Sequence, residues 1–186
     1  MHLILASASP RRAELLRSAG FDFEAVTSEI DETPQPGEAP GTYTLRVARE
    51  KARYVARRRW TPGTVVLGAD TEVVAHGEIF GKPADEADAR RMLHLLSGIT
   101  HDVLTAVVVV AGDREVAEVV TTRVRFAPLT DDEIAWYVAS GEPMGKAGAY
   151  AIQGLGARFD ERIDGSWSNV VGLPVATVHR LLTEVQ

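Results

Sequence analysis

The chain has 186 residues, 45% of them hydrophobic, a formal net charge of −6 and no cysteine, so it can bury a core as one domain, with room for two lobes. An acidic balance excludes a general nucleic-acid binder, whose affinity comes from neutralising phosphates, and the missing thiols exclude disulfides and thiolate metal sites. They also fit a reducing, cytoplasmic setting, and with the longest apolar run confined to residues 106–111 no membrane partner is expected.

Residues 3–6, Leu-Ile-Leu-Ala, predict a short buried strand. The break at Ser7-Ala8-Ser9-Pro10 is followed by apolar residues Leu15, Leu16 and Ala19 and then Gly20, which reads as a helix capped by Ser9, with Pro10 in its first turn and Gly20 at its stop. Residues 29–40 are acidic and proline-rich and predict an ordered loop. A helix follows from about Thr42 to the basic run Arg57-Arg58-Arg59, with Leu45, Ala48, Ala52 and Val55 on one stripe and Lys51 beside it.

Residues 64–67 predict a second buried strand, and residues 72–75 and 78–80 a hairpin turning at His76-Gly77. Residues 85–96 read as a helix ending at Ser97-Gly98, and residues 103–111 and 115–126 as a second hairpin joined at Gly112-Asp113. Thr130-Asp131-Asp132-Glu133 is a capping box opening a helix that stops at Ser140-Gly141. Glycines at 145, 148, 154 and 156 mark a loop-rich stretch before Pro174 opens a final helix. Interleaved helices, hairpins and buried strands predict an α/β fold with a mixed sheet.

Several positions carry chemistry. Arg11 and Arg12 lie in the first turn of a helix, where the macrodipole disfavours cations and a bound phosphate would reverse the sign; the Ser7–Ser9 amides would add donors. Two solvated arginines are the ordinary alternative. Asp70 ends the run Val65-Val66-Leu67-Gly68-Ala69, so its carboxylate is expected at a strand end, able to hold a divalent metal or take a proton from water. Capping a turn with Thr71 would also explain it. Lys82, on the turn Gly81-Lys82-Pro83, and Lys51, beside an apolar helix face, could neutralise phosphate, although a solvated or snorkelling lysine is commoner. Gln153, in the glycine-rich stretch, offers a donor and an acceptor for a base edge. His94 and His101 have no partner at zinc-ligand spacing, and no nucleophile elbow is present.

Taken in order, Ser7-Ala8-Ser9-Pro10-Arg11-Arg12, Arg49-Glu50-Lys51-Ala52, Gly68-Ala69-Asp70-Thr71, Gly81-Lys82-Pro83, Ser97-Gly98, Gly148-Ala149-Tyr150-Ala151-Ile152-Gln153-Gly154 and Asn169-Val170-Val171-Gly172-Leu173-Pro174 resemble the Maf family almost end to end. The resemblance implies a nucleoside triphosphate pyrophosphatase that cuts between the α- and β-phosphates. It implies a long, twisted mixed sheet with helices around a central cleft, like that of the inosine triphosphate pyrophosphatases, in a homodimer. Asp70 falls on the family's catalytic aspartate. Arg12, Thr71 and Gln153 fall on positions separating a branch acting on dTTP and UTP from one acting on 7-methyl-GTP, and all three resemble the dTTP/UTP type. Glu72 stands where many members carry an apolar residue, and Trp167 where tyrosine is more usual.

A triphosphate needs concentrated positive charge, which Arg11, Arg12, Lys51 and Lys82 would supply. Mg2+ or Mn2+ bound by Asp70 and Glu32 would polarise the phosphates, Ser7 would hydrogen-bond a phosphate oxygen, and Asp70 would deliver water to the α-phosphorus. The competing expectations are a non-catalytic nucleotide-binding regulator of septum formation, and the same chemistry on 7-methyl-GTP or modified nucleotides.

Overall fold

A computed structural model describes residues 1–185. In chain order the elements are β1 (His2–Ala6), α1 (Pro10–Ser18), β2 (Glu24–Ala25), α2 (Pro40–Arg59), β3 (Thr64–Ala75), β4 (Glu78–Phe80), α3 (Glu86–Leu96), β5 (Thr100–Ala111), β6 (Arg114–Phe126), α4 (Asp131–Ala139), two 3₁₀ segments (Ala147–Ala149 and Gly154–Phe159), β7 (Asp160–Asp164), α5 (Trp167–Val171) and α6 (Val175–Glu184). The strands form one mixed sheet of seven in the order β2-β1-β3-β5-β6-β7, with β4 paired to β3 off this path. The expected α/β class is observed. The chain divides into two compact units, one of Met1–Thr71, Thr105–Val120 and Gly172–Gln186, the other of Glu72–Leu104 and Thr121–Val171.

In the first unit β1 runs parallel to both β2 and β3, with Ala6 opposite Gly68. Strand alternation divides its core into two layers. Leu3, Leu5, Val65, Leu67, Ala69, Val107 and Val109 face Leu16 of α1 and Val178, Leu181 and Leu182 of α6. Ile4, Ala6, Val66, Ala106 and Val108 face Ala48, Ala52 and Val55 of α2. Burial on both faces is why these strands read as unbroken apolar runs. At the start of α1 Ser9 accepts from the Arg12 amide and Pro10 occupies the first turn, as expected. The acidic loop is ordered by α2, whose Tyr43 hydroxyl donates to the Glu32 carbonyl (2.8 Å) and whose Arg46 donates to the Thr33 carbonyl (3.1 Å) and to both Glu38 oxygens (2.8 and 2.9 Å).

One expectation is corrected. Residues 64–67 and 72–75 are not separate strands with Asp70 at an end; β3 is a single strand of 12 residues, and Asp70 lies in its interior. Gly68 continues the strand because α2 crosses it too closely for any side chain: a Cβ there would stand 2.4 Å from the Ala48 carbonyl oxygen and 2.8 Å from the Ala52 Cβ. Gly68 is a packing contact inside the strand. Because β1 stops opposite Gly68, β3 runs on past its parallel neighbour at Asp70 and Thr71.

In the second unit the β3–β4 hairpin turns at His76-Gly77 as expected, both residues at positive φ (53° and 79°) and Ala75 opposite Glu78. Asp85 caps α3, and the Thr130/Glu133 capping box opens α4. Phe126, Phe159, Tyr137, Tyr150 and His101 make an edge-to-face aromatic core, with His101 Nε2 2.8 Å from the Tyr150 hydroxyl. Strand β7 and helix α5 were not anticipated. The β7 sequence, Asp-Glu-Arg-Ile-Asp, carries one apolar residue and so no alternation; it is a strand because β6 pairs with it antiparallel, with ion pairs Arg123–Asp164 and Arg125–Glu161 across the ladder.

Candidate active site

Alternation along β3 points Asp70 to the α2 side and Thr71 to the α1 and α6 side. Each meets a different cluster, both within the first unit. On the α2 side, Lys51 shares a helix face with Ala48, Ala52 and Val55, which carries its ammonium to β3. Its Nζ lies 2.8 Å from Asp70 Oδ1 and 3.0 Å from Glu32 Oε2. Asp70 is 5% exposed, and its second oxygen, Oδ2, is covered and makes no hydrogen bond. A buried carboxylate with one oxygen neutralised and the other unsatisfied is costly, and it holds an aimed, strongly accepting lone pair.

On the other side, Arg12 is buried and its guanidinium is committed to the fold. Nε donates to the Gly172 carbonyl (2.8 Å), Nη1 to Ser7 Oγ (3.2 Å) and Nη2 to Thr71 Oγ1 (3.0 Å). Thr71 Oγ1 also lies 2.9 Å from Thr105 Oγ1 and 3.3 Å from the Gly172 carbonyl. Ser7 Oγ accepts in addition from the Ser9 amide (3.2 Å), which shapes the loop after β1. The Arg11 side chain, half-buried, makes no hydrogen bond or ion pair among the described residues. The three expected cations of this unit are therefore not equivalent: Arg12 braces Ser7, Thr71 and Gly172, Lys51 is paired with two carboxylates, and the Arg11 side chain remains uncommitted.

Lys82 and Gln153 belong to the second unit. Lys82 is exposed on the turn after β4, next to Gly81, whose carbonyl accepts from the Gly148 amide at 3.1 Å. Gly148, at φ 68°, lies so near Val73 that a Cβ would approach its side chain to 2.8 Å, so the Gly148–Gln153 loop is seated closely on β3 and the β4 turn. Gln153 is half-exposed and makes no side-chain hydrogen bond to the 3₁₀ segment that it precedes. Asn169 is buried; its Nδ2 donates to the Val103 carbonyl (2.9 Å) and to Thr122 Oγ1 (3.0 Å).

Two carboxylates, Asp70 and Glu32, converge on one ammonium, which leaves one negative charge in excess and one acidic oxygen unpartnered. This oxygen-only donor set has the chemistry a hard divalent cation requires. Among the described residues no group of three or more histidine, aspartate or glutamate side chains forms a fuller cage, so a cation here would complete its shell with water or substrate oxygens. Thr105 and the Gly172 carbonyl escaped the sequence reading. A threonine inside a β-branched run carries no local signal, and the Gly172 contact joins residues 160 positions apart.

The chain matches the family described as Maf-like protein over residues 2–185. It belongs to the Maf family. Among its relatives, the protein named dTTP/UTP pyrophosphatase of Geobacter sulfurreducens is 56% identical over 178 residues, covering 95% of this chain and 92% of that one. The proteins of the same name from Anaeromyxobacter dehalogenans (strain 2CP-1) and Koribacter versatilis are 56% and 51% identical, covering 97% and 98% of this chain and 92% and 93% of their own. Among solved structures, that of the Staphylococcus aureus Ham1 protein overlaps in part, at 12% identity and a TM-score of 0.42 over 68% of this chain and 72% of that chain. No helix among the described residues is long and apolar enough to cross a membrane.

Proposed function

We propose that this protein hydrolyses dTTP and UTP to the nucleoside monophosphate and pyrophosphate. The observation that carries the reading is the unpartnered Oδ2 of buried Asp70, in a chain whose near-full-length relatives bear that activity in their name. In the proposed step a water oxygen bonds to the α-phosphorus as the bond to the bridging oxygen breaks. The electron pair leaves with pyrophosphate, and Asp70 Oδ2 takes the water proton. Lys51 fixes the carboxylate through Oδ1, so the accepting oxygen is aimed before substrate arrives.

Asp70 and Glu32 would hold Mg2+ or Mn2+, which when bound neutralises phosphate charge and makes water easier to deprotonate. Arg11 and Lys82, neither of them held by a carboxylate among the described residues, take phosphate oxygens, and the Ser7 hydroxyl donates to another. Arg12 and Thr71 set the substrate class together, since they share a hydrogen bond. Gln153 reads the pyrimidine edge with its carboxamide. The reading places the enzyme in the cytoplasm as a homodimer, acting on free nucleotides and not on nucleic acid. A binder without chemistry would gain nothing from two carboxylates on one lysine, since they repel a triphosphate.

The test is pyrophosphate release across the nucleoside triphosphates with Mg2+ and with chelator. Release from dTTP and UTP that chelator abolishes is the expected result; equal rates on every nucleotide, or none on these two, would overturn it.

A further inference from the structure

Gln153 lies in the stretch between the two 3₁₀ segments, which something must hold still. A carboxamide selects a base only if its position is fixed to within about half an ångström. Gln153 immediately precedes the 3₁₀ segment Gly154–Phe159, whose first amides lack partners within the segment, and the residue at that place usually supplies an acceptor. Gln153 supplies none. The acceptor comes from Glu142: its Oε2 accepts from the Leu155 amide (3.0 Å) and its Oε1 from the Gly156 amide (2.9 Å).

The same carboxylate holds the other side of the loop through Tyr137. The tyrosine hydroxyl donates to Glu142 Oε1 (2.9 Å) and accepts from the Ala151 amide (3.1 Å). Glu142 is itself anchored, its amide on Ser140 Oγ (3.2 Å) and its carbonyl on the Lys146 ammonium. The socket tolerates no side chain in the loop. A Cβ at Gly154, which is at φ 77°, would stand 2.6 Å from Glu142 Oε2, and one at Gly156 would stand 2.8 Å from the Tyr137 hydroxyl. Burial pushes the Glu142 carboxyl up, but the Gly156 and Leu155 amides and the Tyr137 hydroxyl outweigh it and hold the group below the usual carboxylate range. It is an anion where the amides need one.

We infer that Glu142 is a positioning residue for base selection: with Tyr137 it clamps the chain on both sides of Gln153 and itself supplies the acceptors for the 3₁₀ amides. The inference rests on Gln153 reading the base. Glu142→Gln keeps the shape but replaces one acceptor oxygen with a donor, and Tyr137→Phe removes only the hydroxyl.

Both variants should lower the ratio of kcat/KM for dTTP over dGTP by about tenfold, through a higher KM for dTTP at nearly constant kcat, the loss expected for a charge-assisted hydrogen bond. The Leu155 and Gly156 amides should exchange faster with solvent in Glu142→Gln. In a Gln153→Ala background, neither substitution should change the ratio further. A Gln153→Ala protein with the wild-type ratio overturns the base reading itself. A ratio that falls in Gln153→Ala but stays at the wild-type value in Glu142→Gln and Tyr137→Phe overturns this inference alone. If Glu142→Gln does not fold, Tyr137→Phe decides on the same ratio.

Discussion

Asp70 and Lys51 form a buried ion pair at 2.8 Å between β3 and α2, and Lys51 reaches Glu32 from the same nitrogen. The pair joins the most conspicuous carboxylate in the sequence to a lysine that snorkelling could have explained. Removing two charges from water is compensated only when geometry and further hydrogen bonds are good. Here one carboxylate oxygen is left unsatisfied, which is poor design for stability and good design for accepting a proton or a cation.

Asp70→Asn should fold with the wild-type secondary structure and lose at least about 100-fold in kcat for dTTP hydrolysis, the lower end of what a positioned proton acceptor supplies. Pyrophosphate release and circular dichroism on the same preparation test this. Wild-type kcat in the variant would remove Asp70 from the mechanism.

Lys51→Met should destabilise the protein by about 3 kcal/mol or more, because it leaves a buried carboxylate without its counter-charge. Adding Asp70→Asn should recover part of that loss, since the stranded charge is gone. Urea denaturation of the two single variants and the double variant measures the coupling. Strictly additive losses would show that the pair contributes no interaction energy.

Gly68→Ala should cost about 1–3 kcal/mol, the usual penalty for forcing a methyl group into a filled core. The obstacle is backbone, the Ala48 carbonyl oxygen 2.4 Å from the new Cβ, so α2 must move. Since α2 carries Lys51, activity should fall in the molecules that remain folded. A variant with unchanged thermal midpoint would contradict the close crossing.

The buried groups of the aromatic core predict two opposed pH dependences. Burial lowers the His101 pKa from 6.5 to about 4, so the neutral ring stabilises the fold above pH 6.5 and that contribution is lost as pH falls toward 4. Burial raises the Asp160 pKa from 3.8 to about 7, so its contribution is complete below 3.8 and is lost as pH rises toward 7. Between about pH 4 and 6.5 the two slopes oppose each other, and the wild type should be nearly flat. Asp160→Asn should lose stability on acidification, whereas His101→Phe should lose it as pH rises. Denaturation midpoints from pH 4 to 8 check both signs; parallel slopes in the two variants would refute the assignment.

Much of this protein is written in short-range chemistry. The Ser9 cap with Pro10, the Thr130/Glu133 capping box, the His76-Gly77 turn and the apolar face of α2 each follow from residues within a few positions of one another, and each is present in the structure. The ordered motifs that place the chain in its family are equally local strings. Tertiary structure alone decided which charges are committed. Arg11 and Arg12 are adjacent and chemically alike, yet Arg12 is spent on partners 5, 59 and 160 positions away while Arg11 is not. It also decided that β3 continues through Gly68, that Lys51 meets Asp70, and that Glu142 holds the loop of Gln153. These contacts depend on the register of parallel strands and on how closely a helix crosses them. Periodicity shows which face of an element is apolar, but not which polar group on another element will lie opposite when that face is buried.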